Sequence, residues 1–578
     1  MNSKIISCLL ASAFFIQPAF AESQPAPTPS APPAVVHSPI LPVKIKPRQS
    51  GADSISKAAA DIEQENTVNL NSLGLYSRIS DGGLGSDIWK DYTGKALASD
   101  LGMLNVNISS PTMRGLLLRA LLTAPDAENL ADDKANEAFS SRITTLVDLG
   151  AFDETVVLYK KLEGNIPSGK AALAGTEAMV SMGQMGLACL EEKALSDDLK
   201  QTSSTSFWPD LNKFCNILLT TDSTGNESES FAKTSSLFTS AKQIKSPASL
   251  SELNGKSVIE ILSANKAGLI SKSLFTPDNV KPLKPQIISL LLKQSPTDQA
   301  EKLSLLAAAA EKGMVPATDF FNEFVTQSAS SLPNQTGYWP VVLNLYNNVK
   351  ASPADNTALK EVLKIMPNSG NAALLPFAAS FGSLKNVDAF STEEAREVVS
   401  LLIRARINVS GPWFSKAFDK PEAQSKESMT DMDVISALGA SSNTDQDKKS
   451  SESAKLKENP ENAQFYALSL ILKNEEAGGK INEKSYENVF SLTGSTDYVM
   501  PSKELMNNLI QAAAKQDTGK VIIYSLQILN GQRISQIHPL ALIRISEGLQ
   551  SVGLSEENRS LAHEVLADLI ETKNEKKI

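Results

Sequence analysis

The spacing of apolar residues is the feature of this sequence that most limits its fold. From about residue 66 onward, apolar residues recur at the i, i+3, i+4 intervals of an amphipathic helix nearly everywhere. In the stretch after Pro111 they form one stripe made of Met113, Leu116, Leu117, Ala120 and Leu121. Strand signals are few, and the run from Val521 to Leu526 continues into helical spacing. The sequence therefore predicts an all-α fold.

Serine or threonine followed by proline precedes several of these stretches. The hydroxyl can accept a hydrogen bond from the first turn, and proline lacks an N–H that this turn does not need. The pattern occurs at Ser110-Pro111, Ser246-Pro247, Thr276-Pro277, Ser295-Pro296 and Ser352-Pro353. Many short helices are expected, and short amphipathic helices bury their stripes by stacking as hairpins. We therefore expect a degenerate α-solenoid of stacked helical hairpins.

One part of the chain has a repeat-like pattern. The turn around Gly150 precedes the segment from Thr155 to Leu162, and Gly183 follows 33 residues after Gly150. This turn, segment and spacing resemble the tetratricopeptide repeat, whose period is about 34 residues. The resemblance implies stacked helix pairs with a surface for binding. A last hairpin is expected around Val552-Gly553-Leu554-Ser555.

A second resemblance begins before the first predicted hairpin. The segment runs from Leu73-Gly74-Leu75-Tyr76, through a glycine bend at 82–85, to a predicted helix carrying Ile88 and Trp89. It resembles the N-terminal signature of a group of secreted bacterial proteins, some labelled antifreeze glycopeptide polyprotein. The region around Cys189, Trp208 and Cys215 and the C-terminal hairpin are also similar. This resemblance implies no established activity, and the chain lacks the Ala-Ala-Thr array that antifreeze glycopeptides require.

The first 21 residues predict export. Lys4, an apolar run from Ile5 to Ile16, and Ala19-Phe20-Ala21 match a signal peptide that is cleaved after Ala21. We expect a periplasmic or secreted mature protein. No later segment reaches the ~18 apolar residues of a membrane span, so no transmembrane segment is expected.

The remaining chain divides by composition. Residues 22–66 begin with a proline-rich stretch and predict a disordered tether. Helical modules are expected at 67–220, 231–440 and 457–571, with a flexible linker at 441–456.

Two cysteines remain after cleavage, Cys189 and Cys215. An exported protein meets an oxidising compartment, so we predict one disulfide between adjacent helices. Two separate buried thiols are the alternative.

Charge and motifs argue against several partners and cofactors. The formal net charge of −10 is evenly mixed and leaves no basic stripe for nucleic acid. The glycines at 82–85 lack the lysine and hydroxyl residue of a phosphate-binding loop. We expect no cofactor and no metal site.

Catalytic candidates are also few. Three histidines occur, and His538 and His563 are interpreted as structural. Glu427-Ser428 is similar to the catalytic Glu-Ser of lytic transglycosylases, but the Gly-Leu-Met-Gln that follows in that family is absent. Because of this partial similarity, an enzyme that cleaves peptidoglycan is kept as the alternative function.

Five aromatic residues are candidates for binding a partner or for capping hairpin ends: Tyr76, Trp89, Trp208, Trp339 and Trp413. Trp208, Trp339 and Trp413 each adjoin a proline, which places them where a loop enters a helix.

The sequence thus predicts an exported, non-catalytic helical-repeat scaffold. We expect it to bind an envelope protein, a peptide or peptidoglycan. A passive envelope protein without a dedicated ligand is a further alternative.

Overall fold

The chain separates into two units, Met1–Asn66 and Thr67–Ile578. The computed structural model describes residues 70–126, 130, 135–201, 206–221, 227–294, 296, 298–329, 338–352, 356–365, 375–419, 467–468, 470–471 and 498–575. The predicted signal peptide, the tether at 22–66, the linker at 441–456 and Glu427 lie outside the described residues.

The described residues form helices joined by short turns. The first helices are α1 (Gly94–Gly102), α2 (Pro111–Leu122), α3 (Ala135–Asp148), α4 (Phe152–Lys160), α5 (Gly169–Ser181), α6 (Met185–Ala194), α7 (Asp197–Gln201), α8 (Phe207–Thr220), α9 (Glu227–Lys242), α10 (Val258–Lys266), α11 (Pro277–Val280) and α12 (Pro285–Lys293). The later helices are α13 (Gln299–Glu311), α14 (Ala317–Ala329), α15 (Tyr338–Ala351), α16 (Asn356–Ile365), α17 (Ala378–Ser383), α18 (Thr392–Arg404), α19 (Gly411–Phe418), α20 (Lys503–Ala514), α21 (Thr518–Leu529), α22 (Pro539–Ser551) and α23 (Ser555–Glu575).

Short 3₁₀ segments occur at Leu70–Ser72, Ile79–Asp81, Leu250–Gly255, Lys272–Leu274, Leu375–Phe377 and Ile534–Gln536. Isolated bridges join Tyr76 to Thr123 and Val499 to Ile537, and the described ranges contain no strand. The predicted all-α fold is confirmed.

The predicted helix starts are confirmed in part. Ser110 and Thr276 are N-caps, each followed by proline at the first helical position. Ser246-Pro247 begins no helix, because the next element is the 3₁₀ segment that starts at Leu250. The helix expected after Ser295-Pro296 begins at Gln299, because the carboxylate of Asp298 caps it.

The glycine bend before the first helix is present, with Gly82 and Gly85 at φ of +97° and +94°. The helix expected to carry Ile88 and Trp89 is absent. Residues 86–91 form turns instead, and α1 begins at Gly94.

The two glycines of the repeat-like pattern occupy equivalent helix ends. After α3, the N–H of Ala151 donates to the carbonyl of Leu146 at 2.9 Å, and the N–H of Gly150 donates to that of Val147 at 2.8 Å. Gly183 closes α5 with the same pair of bonds. This arrangement requires a left-handed residue, which glycine adopts without strain, and φ is +75° at Gly150 and +73° at Gly183.

Helices adjacent in the chain pack together from α3 to α6 and again through α8, α9 and α10, as stacked hairpins do. An early helix also packs against two late ones, since α2 contacts both α21 and α23. A linear solenoid, in which each repeat contacts only its neighbours, has no such contact. The solenoid arrangement therefore remains a prediction, and the contacts of α2 with α21 and α23 are not part of it.

Polar contacts hold this closure at the N-terminus of α2. The carboxylate of Glu564, on α23, accepts hydrogen bonds from the hydroxyls of Ser110 and Thr112 and from the N–H of Thr112. Arg119, farther along α2, forms an ion pair with Glu557 of α23. Because α2 has no acidic residue in its first turn, Glu564 supplies the negative charge that this helix end favours.

The C-terminus of α2 is held by a buried arginine from α3. The Arg142 side chain donates to the carbonyl of Leu121 at 3.1 and 2.7 Å and to that of Thr123 at 3.1 Å. A cation is favourable where the helix dipole is negative. Both ends of α2 are therefore closed by residues from other helices.

The three predicted modules remain a prediction. The contacts of α2 with α21 and α23 join helices of the first predicted module to helices of the last.

The turn glycines lead to a paired prediction. A Cβ at Gly183 meets no atom within 4 Å, so Gly183→Ala should cost only the left-handed strain, about 1 kcal/mol. A Cβ at Gly150 would lie 2.8 Å from Cβ of Ser289 and 2.9 Å from the carbonyl oxygen of Pro285 on α12. We expect Gly150→Ala to cost about 3 kcal/mol, because overpacking adds to the strain.

Urea unfolding followed by circular dichroism measures both variants. Equal losses of stability would contradict the packing of α12 against the α3–α4 turn.

Candidate functional site

The predicted disulfide is present. Cys189 on α6 and Cys215 on α8 are bonded, with their Cα atoms 5.7 Å apart. Both residues are buried. The bond joins two helices that also pack against each other.

Two of the candidate tryptophans lie in aromatic clusters of the core. Trp339, the second residue of α15, is 2% exposed and donates its indole N–H to Oγ of Ser304 at 2.7 Å. Trp413, the third residue of α19, is fully buried and donates to the carbonyl of Phe381 at 2.7 Å. Each indole therefore uses its polar atom to fix a helix start, as the junction positions indicated.

The remaining aromatic candidates also pack inward. Trp208, the second residue of α8, is buried edge-on to Phe207. Trp89 is fully buried, and a Cβ at Gly519 of α21 would lie 2.7 Å from its ring. Tyr76 is half-buried and contacts the core, and its backbone pairs with the end of α2. The four tryptophans are thus packing residues and present no face to a ligand in this structure.

Two half-buried acidic residues, which the sequence analysis did not select, lie near each other and both have raised pKa values. Asp148 ends α3, and Glu177 lies in α5, which packs against α3. Burial raises the pKa of Glu177 to about 7, and the nearby carboxylate of Asp148 raises it too. Burial raises the pKa of Asp148 to about 6, against the opposing effect of the Lys284 ammonium group. We call Asp148, Glu177 and Lys284 the hairpin-turn cluster.

The fold brings the hairpin-turn cluster together through the same turn that contains Gly150. Ser289 of α12 donates its hydroxyl to the carbonyl of Gly150 at 2.7 Å, which docks α12 on this turn. Lys284 precedes α12, and its N–H donates to the side chain of Asn254 at 3.0 Å. The cluster therefore combines two carboxyls whose pKa values burial raises toward neutral pH.

The sequence did contain signals for both acids. Glu177 is the single acidic residue of α5, whose sequence GKAALAGTEAMVS is otherwise nearly apolar. Asp148 lies at a helix C-terminus, where a negative charge is unfavourable. Nothing in the sequence indicated that the two side chains would be neighbours.

Another acid with a raised pKa belongs to a structural network. Burial raises the pKa of Glu397 on α18 to about 7, and the charges of Glu394 and Glu571 add to this. Arg404 of α18 donates to both carboxylate oxygens of Glu571 at 2.8 and 2.9 Å. This network ties α18 to α23.

His538 has a structural role in the described residues. It is the N-cap of α22, and its Nδ1 accepts a hydrogen bond from the N–H of Leu540 at 3.1 Å. Burial lowers its pKa, in keeping with a neutral, accepting ring.

Among the described residues, no group of three or more His, Cys, Asp or Glu side chains is placed to hold a metal ion. Within the same ranges, no helix combines the length and the apolar composition that crossing a bilayer requires.

Comparison with known proteins identifies no relative. No family model matches the chain, and neither the curated proteins nor the solved structures include a match. The predicted resemblances to tetratricopeptide proteins and to the secreted bacterial group therefore remain predictions.

The raised pKa of Glu177 predicts how its removal changes stability with pH. A carboxyl whose pKa is higher in the folded state contributes its full stability below the unfolded value, near 4.5, and loses it as pH rises through about 7. Glu177→Gln should therefore match the native protein near pH 4.5 and exceed it at pH 8, by about 1 to 3 kcal/mol.

Thermal unfolding at both pH values measures this difference. Glu163→Gln, which changes an exposed acid by the same substitution, is the control and should show no gain at pH 8. A Glu177→Gln protein less stable than native at pH 8 would contradict the desolvation of this carboxyl.

Proposed function

We propose that this chain is an exported, non-catalytic helical scaffold that binds a protein, a peptide or peptidoglycan in the cell envelope. The disulfide between Cys189 and Cys215 is the observation that carries the proposal. Disulfides persist in oxidising compartments and are rare in the cytosol. The sequence of the first 21 residues supports the same location.

Exposed apolar side chains near the disulfide support a binding role. On α6, Leu190 is 66% exposed and follows Cys189 directly. On α8, Leu219 is also 66% exposed and lies one turn beyond Cys215. Leu187 and Val157 add exposed apolar area on α6 and α4. Exposed apolar area marks an interaction site where it forms a contiguous patch.

Site-specific photocrosslinking in intact cells tests the scaffold. A photoreactive residue at Leu190 or Leu219 should give discrete adducts with one protein or with peptidoglycan fragments, because both side chains face solvent. The same residue at Lys213, an exposed polar position of α8, is the control. Absence of adducts at Leu190 and Leu219 would favour the passive envelope protein.

The mass of the mature protein tests export. The mature chain should begin at Glu22, and its mass should be lower than that of the dithiol form by two hydrogen atoms.

A peptidoglycan-cleaving enzyme is the alternative function. The two carboxyls of the hairpin-turn cluster are candidate groups for it, because glycosidases use a pair of carboxyls. Release of muropeptides by the purified protein, lost on Glu177→Gln or Glu427→Gln, would overturn the scaffold proposal. The scaffold proposal predicts no release by the native protein or by either variant.

A further inference from the structure

The chain contains two Asn-Gly pairs, Asn254-Gly255 and Asn530-Gly531. Asparagine is chemically labile, because its side-chain amide can be lost as ammonia. A following glycine favours this loss, since a residue without Cβ lets its backbone nitrogen approach Cγ of the asparagine. The two pairs differ in how the asparagine side chain is bonded.

The amide group of Asn254 is held at both of its polar atoms. Its Nδ2 donates to the carbonyl of Pro282 at 3.2 Å, and its Oδ1 accepts from the N–H of Lys284 at 3.0 Å. The residue is half-buried and lies in the 3₁₀ segment Leu250–Gly255. Both hydrogen bonds must break before Cγ of Asn254 can turn toward the nitrogen of Gly255. The fold therefore protects this amide.

The side chain of Asn530 lacks these restraints. Asn530 is the C-cap of α21, has a φ of +41° and is exposed to solvent. Within the described ranges its side chain makes no hydrogen bond. In the same ranges the N–H of Gly531 donates to no backbone carbonyl. No hydrogen bond therefore has to break before this nitrogen approaches Cγ of Asn530.

The turn that contains Asn530 docks tightly on the segment before α2. Nδ2 of Asn105 donates to the carbonyl of Asn530 at 3.2 Å. A Cβ at Gly531 would lie 2.5 Å from the same Nδ2 and 2.9 Å from the carbonyl oxygen of Asn107. The docked turn therefore has no space for added backbone atoms.

We propose that Asn530 is a deamidation site, and that its isoaspartate product loosens the contact between this turn and the segment before α2. The backbone nitrogen of Gly531 bonds to Cγ of Asn530, and the bond from Cγ to Nδ2 breaks. Nδ2 leaves as ammonia with the proton of the Gly531 nitrogen, and a cyclic succinimide remains. Water then opens the succinimide at either carbonyl, which gives aspartate or isoaspartate.

The two products differ in backbone length. Isoaspartate adds one carbon atom to the main chain before Gly531, which has no space beside Asn105 and Asn107. The lengthened turn must therefore move away from this segment. Aspartate keeps the native length and tolerates the left-handed conformation. The modification is independent of the proposed scaffold role, since it alters this contact whatever the protein binds.

Ageing of the mature, disulfide-bonded protein in mildly alkaline buffer tests the site, because the attacking nitrogen must lose its proton. Peptide mass analysis follows both Asn-Gly pairs, since deamidation replaces an NH group by an oxygen atom. We expect conversion at Asn530, with isoaspartate among the products, before Asn254 changes measurably. An unchanged Asn530, or conversion of Asn254 at an equal or higher rate, would overturn the proposal.

Asn530→Gly is the matched variant. Glycine adopts a φ of +41° without strain and has no amide to lose. Hydrogen exchange of the amides at 105–109 reports on the docked contact. Exchange should become faster as isoaspartate accumulates in the native protein and stay constant in Asn530→Gly.

Native fractions with and without isoaspartate, separated by ion exchange, give the same comparison if Asn530→Gly does not fold. Equal exchange at 105–109 in the two fractions contradicts the loosening.

Discussion

The carboxylate of Glu564 at the N-terminus of α2 is the contact on which closure of the helical body depends. It accepts from Ser110 and Thr112, whereas Arg142 binds the carbonyls at the other end of the same helix. Each contact places a charge where the helix dipole favours it. Because these charges come from α23 and α3, the position of α2 fixes where the last helix meets the first hairpin.

Much of the fold followed from local sequence chemistry. Apolar spacing identified the helices, Ser110 and Thr276 were correct N-caps, and Gly150 and Gly183 marked equivalent helix ends. These features depend on residues within one or two turns of each other. The disulfide was also predicted, from the expected oxidising compartment and from the order of the helices that carry Cys189 and Cys215.

Contacts between distant parts of the chain were not predictable in this way. The sequence does not predict that Glu564 contacts Ser110 or that Glu177 lies near Asp148. Both proximities depend on how the hairpins stack. Trp339 and Trp413 illustrate both cases, a local feature that the sequence predicts and a distant contact that it does not. Their place at helix starts could be read from the adjacent prolines, but whether their rings faced a ligand or the core was decided by Ser304 and Phe381 in other helices.

The capping of α2 by Glu564 has a consequence for how the protein matures. Ser110 precedes Glu564 by 454 residues. At the usual translation rate of about 5 to 20 residues per second, the ribosome adds the capping residue roughly 20 to 90 s after Ser110. The start of α2 is therefore capped only after α23 has been synthesised. Until then the nascent chain must avoid aggregation.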